Sequence, residues 1–303
     1  MSNAFLKAET IAATALGLLE RDLILANLVW TSGGFDFTGA KGDTVTIRVP
    51  ARLDAREQDW RAANPADIVL DSLTEEGVNV SLNKDIYSAV QITDEELTLD
   101  IKDFGAQILS PQVGAVARAI DNGVASLIEG ATYNTTVTLD GKDPWSGIVD
   151  ARGALNKQNV PFQGRTLLVG SDVETSLLKS ERISKVDQSG SDSALKDATL
   201  GNLAGFKVVT STVIAPGTAY AFVPSAFVLS TRAPAIPGGV AFGASQSFNG
   251  LSMRWIKDYD SAKLRDRSVV NIYAGYNVMT DRLNGTGARK LLRAVKLTLP
   301  ATP

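Results

Sequence analysis

Residues 110–129, SPQVGAVARAIDNGVASLIE, constrain the fold more than any other stretch of this chain. Their apolar positions Val113, Val116, Ile120, Val124 and Leu127 are spaced three or four apart, which draws one stripe along an α-helix. Ser110 suits the N-cap, and Pro111 the first helical position, where a missing N–H costs nothing. Gly130 is the predicted stop. Gly114 and Gly123 each weaken such a helix by roughly 1 kcal/mol against alanine, so packing on the apolar stripe has to hold it. The predicted strands that flank it in sequence are the expected cover.

Composition narrows the chemistry. The chain has 303 residues, 44% of them hydrophobic, enough for one elaborated domain or two modest ones. It has no cysteine, which excludes disulfides and thiolate chemistry. It has no histidine, which removes the commonest general base and the imidazole metal ligand. A zinc site would rest on carboxylates alone. A net charge of −3 provides no basic footprint for sequence-specific nucleic-acid binding. The most apolar stretch, 11–30, is broken by Glu20, Arg21 and Asp22, so no transmembrane helix is expected. Lys7 alone could serve as the basic start of a signal peptide, and no clear cleavage site follows. A soluble, cytoplasmic chain is therefore expected.

Residues 4–30 read as an amphipathic helix with Ala12, Leu16, Leu19, Leu23, Ala26 and Trp30 on one stripe. It packs either on its own domain or, as an arm, on a neighbouring chain. Residues 42–50, GDTVTIRVP, alternate as a half-buried strand that ends at Pro50. Val78, Val80 and Leu82, then Val90 and Ile92, alternate again. Between these strands lies a charged, core-poor excursion, residues 51–71, carrying Arg52, Asp54, Arg56, Glu57, Asp59 and Arg61, with Trp60 among them. The plain reading is a solvated hairpin tip. Yet a 20-residue excursion in a compact domain is usually functional, and mixed charge suits docking on protein better than on phosphate. Trp60 is a candidate interface anchor.

Thr93 to Glu96 cap a short helical turn, and Tyr133 to Leu139 alternate as a strand. A helix is predicted from about Pro144 to Gln158, with Ile148, Ala151 and Leu155 on one face. Residues 165–170, RTLLVG, read as a buried strand, and Ser171 as the cap of a helix carrying Val173, Leu177 and Leu178, an α/β unit. Residues 180–200 read as a polar surface loop. Strands follow at 206–211, 219–223 and 226–230, then across 240–278 with Leu251, Met253 and Trp255 alternating, and last at Val295, Leu297 and Leu299.

Catalytic signatures are missing. There is no GxSxG elbow and no P-loop, and Gly285 to Lys290 lacks the strand–turn–helix context of a phosphate loop. Asp94, Glu95 and Glu96 are explained by helix capping more simply than by Mg²⁺ or a glycosidase pair. No catalytic residue, metal ligand or cofactor site is predicted.

The ordered motifs resemble the major capsid (coat) protein family of tailed bacteriophages. The matching stretches are GDTVTIRVP at 42–50 with the excursion after it, VNVSLNKDIYSAVQITDEEL at 78–97, the long helix with its IDNG at 120–123, NVPFQGRTLLVGSDVETSLL at 159–178, GNLAGFKVVTS at 201–211, AYAFVPSAFVLSTR at 219–232, and Tyr259-Asp260 with IYAGYNV at 272–278. The likeness is nearest to the coat-protein branch of short-tailed Salmonella-type phages. It implies an α+β chain with the Hong Kong 97-type fold. Residues 1–42 would be the N-terminal arm and 43–92 the E-loop hairpin. Residues 93–159 and 236–303 would form the peripheral domain with its spine helix at 110–129, and 160–235 the axial domain. Arg52, Asp54, Arg56, Glu57, Asp59, Trp60 and Arg61 would be intersubunit contacts of the E-loop. Many relatives carry a cleaved N-terminal scaffolding segment, for which this chain is too short, and there is no room for the inserted domain of some coat proteins.

The resemblance implies a structural protein that self-assembles, as pentamers and hexamers, into the icosahedral shell around phage double-stranded DNA. Expected partners are further copies of the chain, scaffolding, portal and decoration proteins, and DNA without sequence preference; no membrane is expected. The location is the virion, after assembly in the host cytoplasm. An encapsulin-type nanocompartment of the same fold is the alternative, and a carboxylate-using or hydrolase-like enzyme is the rival from another class.

Overall fold

A computed structural model describes residues 14–15, 23–31, 44–49, 55–58, 61, 67–68, 70, 76–95, 104–180, 201–240, 242–248, 251–262, 264–283 and 287–300. The 110–129 stripe is the centre of the molecule. Helix α1, Ser110–Gly130, buries Val113, Val116, Ile120, Val124 and Ile128 almost completely. Five aliphatic side chains at roughly 1.5–3 kcal/mol each outweigh the glycine penalties. Leu127, the last position of the predicted stripe, is partly buried against the same core.

Two expected helix signals act differently. The chain is already helical before Ser110, through a π-turn at Gly105–Leu109, and no side chain caps α1. Pro111 has no N–H to return to the preceding turn, and the wider turn just ahead of it absorbs that break in the ladder. Gly130 is helical, and the exit is through extended Ala131.

The N-terminal prediction is also corrected. Thr14 and Ala15 are helical. Leu23 to Trp30 do not continue a helix: Ala26–Leu28 form a 3₁₀ turn, and Trp30–Thr31 form strand β1. The backbone N–H groups of Ile24 and Ala26 donate to the Asp121 carboxylate of α1, at 2.9 and 3.0 Å, instead of to carbonyls one turn back. The remainder of 4–22 lies outside the described residues.

Three sheets carry the rest. Strands β2 (Thr44–Val49) and β3 (Glu76–Ser81) pair as an antiparallel hairpin. The first large sheet has the order β1–β10–β13–β12–β11, from β10 (Phe227–Arg232), β11 (Phe242–Phe248), β12 (Leu251–Asp260) and β13 (Arg265–Val278). Strand β4 (Lys84–Thr93) pairs along the other side of β13. Leu251, Met253 and Trp255 point to α1, as their alternation predicts, together with Val270 and Ile272.

The second large sheet has the order β5–β14–β9–β6–β8–β7, from β5 (Thr136–Thr138), β6 (Thr166–Val169), β7 (Asn202–Leu203), β8 (Phe206–Thr210), β9 (Thr218–Phe222) and β14 (Ala294–Thr298). Its strands are covered on both faces. Leu168, Tyr220 and Phe222 face the α1 core, while Leu167, Val169, Ala219 and Ala221 face a second core under helices α2 (Pro144–Lys157) and α3 (Ser171–Lys179). That two-sided burial is why 165–170 reads as a continuous apolar run. Ser171 is the first helical residue of α3, not its cap. Gly170 holds the cap position, where a Cβ would lie 2.5 Å from the carbonyl oxygens of Ala215 and Pro216. The Asp172 N–H donates to that Pro216 oxygen. The expected strand at 133–139 shrinks to β5 plus a single bridge from Tyr133 to Leu291. Residues 181–200 lie outside the described residues.

The strands cross between the expected units. β10, within 160–235, is bonded to β13 in 236–303, and β14, within 236–303, is bonded to β9 in 160–235.

Gly123 has a packing reason for its place in α1. A Cβ there would sit 2.4 Å from the Tyr276 hydroxyl and 2.5 Å from the ring carbon bearing it. Alanine would gain helix propensity of about 1 kcal/mol but overpack the ring, which costs about 1–3 kcal/mol. Gly123→Ala is therefore expected to lower the melting temperature in a thermal melt, against the propensity scale. A raised melting temperature would show that the ring has room to move.

Candidate assembly interface

The hairpin β2–β3 has one apolar and one polar face. Ile47, Val78 and Val80 are buried against Val228, Met279 and Trp30. On the other face Thr46 Oγ1 donates to Asn79 Oδ1 at 2.7 Å. Side chains from the end of β13 and the loop after it tie its base down: Asn277 Nδ2 donates to the Asn79 carbonyl, and Arg289 Nη1 to the Gly77 carbonyl at 3.2 Å. Where the hairpin crosses β13, a Cβ at Gly275 would be 2.3 Å from the Ser81 oxygen, so only glycine permits that approach.

Beyond this anchored base the described residues of the excursion are all exposed. They include Arg56, Glu57 and Arg61 from the predicted contact set. Arg52, Asp54, Asp59 and Trp60 lie outside the described residues. The charge pattern drew the sequence reading away from an apolar pair in the same excursion: Ile68 is 80% exposed and Leu70 89%. The available signal was the aliphatic run Ile68-Val69-Leu70 between Asp67 and Asp71.

The face of the first sheet away from α1 is polar. Arg254 Nε donates to Asn271 Oδ1 at 2.9 Å, and Asn271 Nδ2 to Asp85 Oδ1 at 3.2 Å. Arg267 forms a two-pronged pair with Asp258. Its hydrogen bond, more than its charge, holds the Asp258 carboxyl below the usual range. Arg267 is mostly exposed, so such a pair adds little stability. Tyr87, 68% exposed, stands on the same face, opposite Asn271.

One buried polar network ties the long helix to the first sheet. Trp255 Nε1 donates to Ser268 Oγ at 3.1 Å, and Ser268 Oγ to Gln112 Oε1 at 2.8 Å. Gln112 Nε2 donates to the carbonyls of Ser88 and Ser268. This network joins α1 to β4, β12 and β13 with its hydrogen bonds satisfied. Among the described residues no group of three or more carboxylates could hold a metal ion, and no helix is long and apolar enough to cross a membrane.

Four phenols, Tyr133, Tyr220, Tyr259 and Tyr276, are held above the ordinary tyrosine value of 10, and three of them are largely buried. Burial is the first cause at Tyr133, Tyr220 and Tyr276; the Tyr276 hydroxyl is pushed up to about 12, with Asp121 adding to the shift. A raised folded value means that the unfolded chain loses these protons first. Their contribution to stability is then complete below pH 10 and declines as pH rises toward 12. Melting temperatures taken across that window should fall steeply above pH 10, and less steeply in Tyr276→Phe. Equal slopes in the two proteins would remove Tyr276 from the account.

A sequence model of the family described as phage capsid protein matches residues 80–290. The chain belongs to the phage capsid protein family. No curated protein sequence matches it. Among solved structures, this capsid protein resembles a chain of Mycobacterium phage Che8, with 19% identity, 91% of this chain and 90% of that one covered, and a TM-score of 0.63. It also resembles a chain from the capsid of the cyanophage P-SCSP1u, with 12% identity, 86% and 85% coverage, and a TM-score of 0.61. A virus-like particle chain from Pyrococcus furiosus matches with 12% identity, 95% and 97% coverage, and a TM-score of 0.52. The α+β architecture is the Hong Kong 97-type capsid fold. As a major capsid protein the chain is a structural component of the virion and self-assembles into its shell.

Proposed function

We propose that this capsid protein builds an icosahedral shell of pentamers and hexamers around double-stranded phage DNA, and that the outer part of the 43–92 E-loop, beyond the β2–β3 base, lies across a neighbouring subunit. The observation that carries the reading is the contrast within the hairpin. Its base is fixed on its own subunit by buried contacts, while its described outer residues, Arg56, Glu57 and Arg61 among them, are all exposed. In this reading Arg52, Asp54, Asp59 and Trp60 share the intersubunit contact. Residues 1–42 form the arm, 93–159 with 236–303 the peripheral domain, and 160–235 the axial domain, with β10 and β14 lacing the two sheets together. Scaffolding, portal and decoration proteins are its further partners, DNA is contacted without sequence preference, and assembly takes place in the host cytoplasm. The order of the motifs supports the short-tailed Salmonella-type branch.

Sedimentation and negative-stain microscopy of the purified chain test this. Closed particles are expected, and a stable monomer in assembly conditions would overturn the shell reading. Reversing Arg56 and Arg61 to Glu sets like charges opposite each other at every copy of the interface. Even about 1 kcal/mol per contact, repeated around a shell, should abolish closure. The subunit should stay folded with an unchanged circular dichroism spectrum, because the α1 core is untouched. Normal particle yield from this variant would exclude the arm role. An encapsulin-type shell is the second reading, favoured by the likeness to the Pyrococcus furiosus particle chain; nucleic acid inside purified particles would decide for the phage role.

A further inference from the structure

Strand β11, Phe242–Phe248, is an edge of the first sheet: it pairs with β12 on one side, and no described residue pairs with it on the other. In an antiparallel ladder every second residue turns its N–H and C=O away from the partner strand, so β11 presents a row of backbone donors and acceptors at the sheet edge. Folded proteins blunt such an edge with charged side chains, proline or a bulge. β11 has none of these. Its sequence, FGASQSF, carries no charge and no proline, and it runs beside β12 through seven consecutive pairs, from Phe242↔Lys257 to Phe248↔Leu251, without a bulge. The opposite edge, β4, differs: it opens with Lys84 and Asp85, and Gln112 Nε2 donates to its Ser88 carbonyl. On β11 Ser245 and Ser247 are exposed, and Phe242 is 56% exposed.

The segment is also close to symmetric about Ser245. Laid antiparallel on a second copy of itself with Ser245 at the centre, it sets Phe242 opposite Phe248, Gly243 opposite Ser247, Ala244 opposite Gln246 and Ser245 opposite Ser245. Aromatic positions then face each other at both ends, and no charge meets a like charge. Cross-strand aromatic pairs are favourable, while like charges directly opposite are not.

We infer that β11 of one copy pairs antiparallel with β11 of a neighbouring copy, across a two-fold axis through Ser245. The inference rests on the shell reading above and deepens it by naming a second contact between subunits. The contact is isologous, the same patch on both copies. A closed icosahedral shell has two-fold axes between neighbouring rings, where such a contact fits. The partner is a second copy because the strand is complementary to itself and the protein self-assembles. Backbone hydrogen bonds across the edge supply the attachment, as in other cases of strand addition.

The chain has no cysteine, so a single introduced thiol reports contact between the same residue in two copies. Full-length Ser245→Cys is assembled and oxidised, with Gln91→Cys on β4 as the control. A covalent dimer of Ser245→Cys, well in excess of the control, is expected on a non-reducing gel. Charge provides a second readout. Ser245→Lys and Ser245→Glu each set like charges opposite one another in a self-pair, and each should raise the concentration needed for assembly by roughly fivefold or more, while the free subunit still melts cooperatively. An equimolar mixture of the two sets Lys opposite Glu and should assemble near the wild-type concentration. Particles that form normally from Ser245→Cys without an excess of covalent dimer overturn the inference and leave the shell reading intact. A mixture no better than its components overturns it equally, because mixing repairs only a contact of residue 245 with itself. A wild-type chain that forms no particles overturns the shell reading, and the Ser245→Cys dimer then decides the β11 contact alone.

Discussion

Replacing Asp121 with alanine is expected to destabilise the subunit by about 2–3 kcal/mol and to release the segment at 23–31. The carboxylate is 7% exposed and accepts the N–H groups of Ile24 and Ala26. Ala26 is fully buried, so its N–H would be left without an acceptor and out of reach of water. The Ile24 side chain is more than half exposed, so its N–H recovers part of the loss by hydration. The penalty is therefore nearer to one unsatisfied donor than to two. The damage should be local as well as global. Among the described residues strand β1 pairs with β10 through Trp30 and Thr31, and the Asp121 bonds precede it directly. Hydrogen exchange should accelerate over 23–31 while the α1 core stays protected. Asp121→Asn keeps one acceptor oxygen and should recover part of the loss. Unchanged exchange in 23–31 would show that hydrophobic packing of Leu23, Leu25 and Val29 alone holds the segment.

Gln112→Leu is expected to cost about 2–4 kcal/mol, although it exchanges a polar for an apolar side chain of similar size in the core. Gln112 is 1% exposed and makes three hydrogen bonds to two strands. Leucine leaves the Ser268 hydroxyl without its acceptor and removes a donor from two carbonyls. Adding Ser268→Ala should restore part of the stability, since removing both partners costs less than orphaning one. It should not restore all of it, because Trp255 Nε1 then loses its own acceptor. Denaturant melts of the two single variants and the double variant give the coupling energy, expected at about 0.5–3 kcal/mol. Additive effects would mean that water replaces the missing groups and that the network is not closed.

Much of the architecture was legible because periodicity reports burial. The stripe Val113 to Val124 and the alternation Leu251, Met253, Trp255 each mark a single buried face, and both converge on one core. The run at 166–169 marks two buried faces, and two cores enclose it. Capping signals were less reliable. Ser110 and Ser171 have suitable side chains, but a π-turn occupies the first site and glycine, packed against two carbonyls, occupies the second. The assembly surface was legible as a charged excursion. Its apolar pair was not, because Ile68, Val69 and Leu70 form a run too short to show a period.

Local physics along the chain thus settles where the long helix and most of the described strands lie, and that imidazole and thiol chemistry are excluded. Tertiary structure alone decides what those segments meet. Nothing in the period of residues 4–30 shows that a carboxylate 95 residues away will take the Ala26 N–H and end the helical pattern. Nothing in the order of the strands shows that β10 and β14 will exchange sheets, since each is apolar enough to be buried in either. These choices depend on contacts between residues far apart in sequence. Such contacts form only when the chain closes long loops, and their energies belong to pairs of surfaces that no single stretch contains.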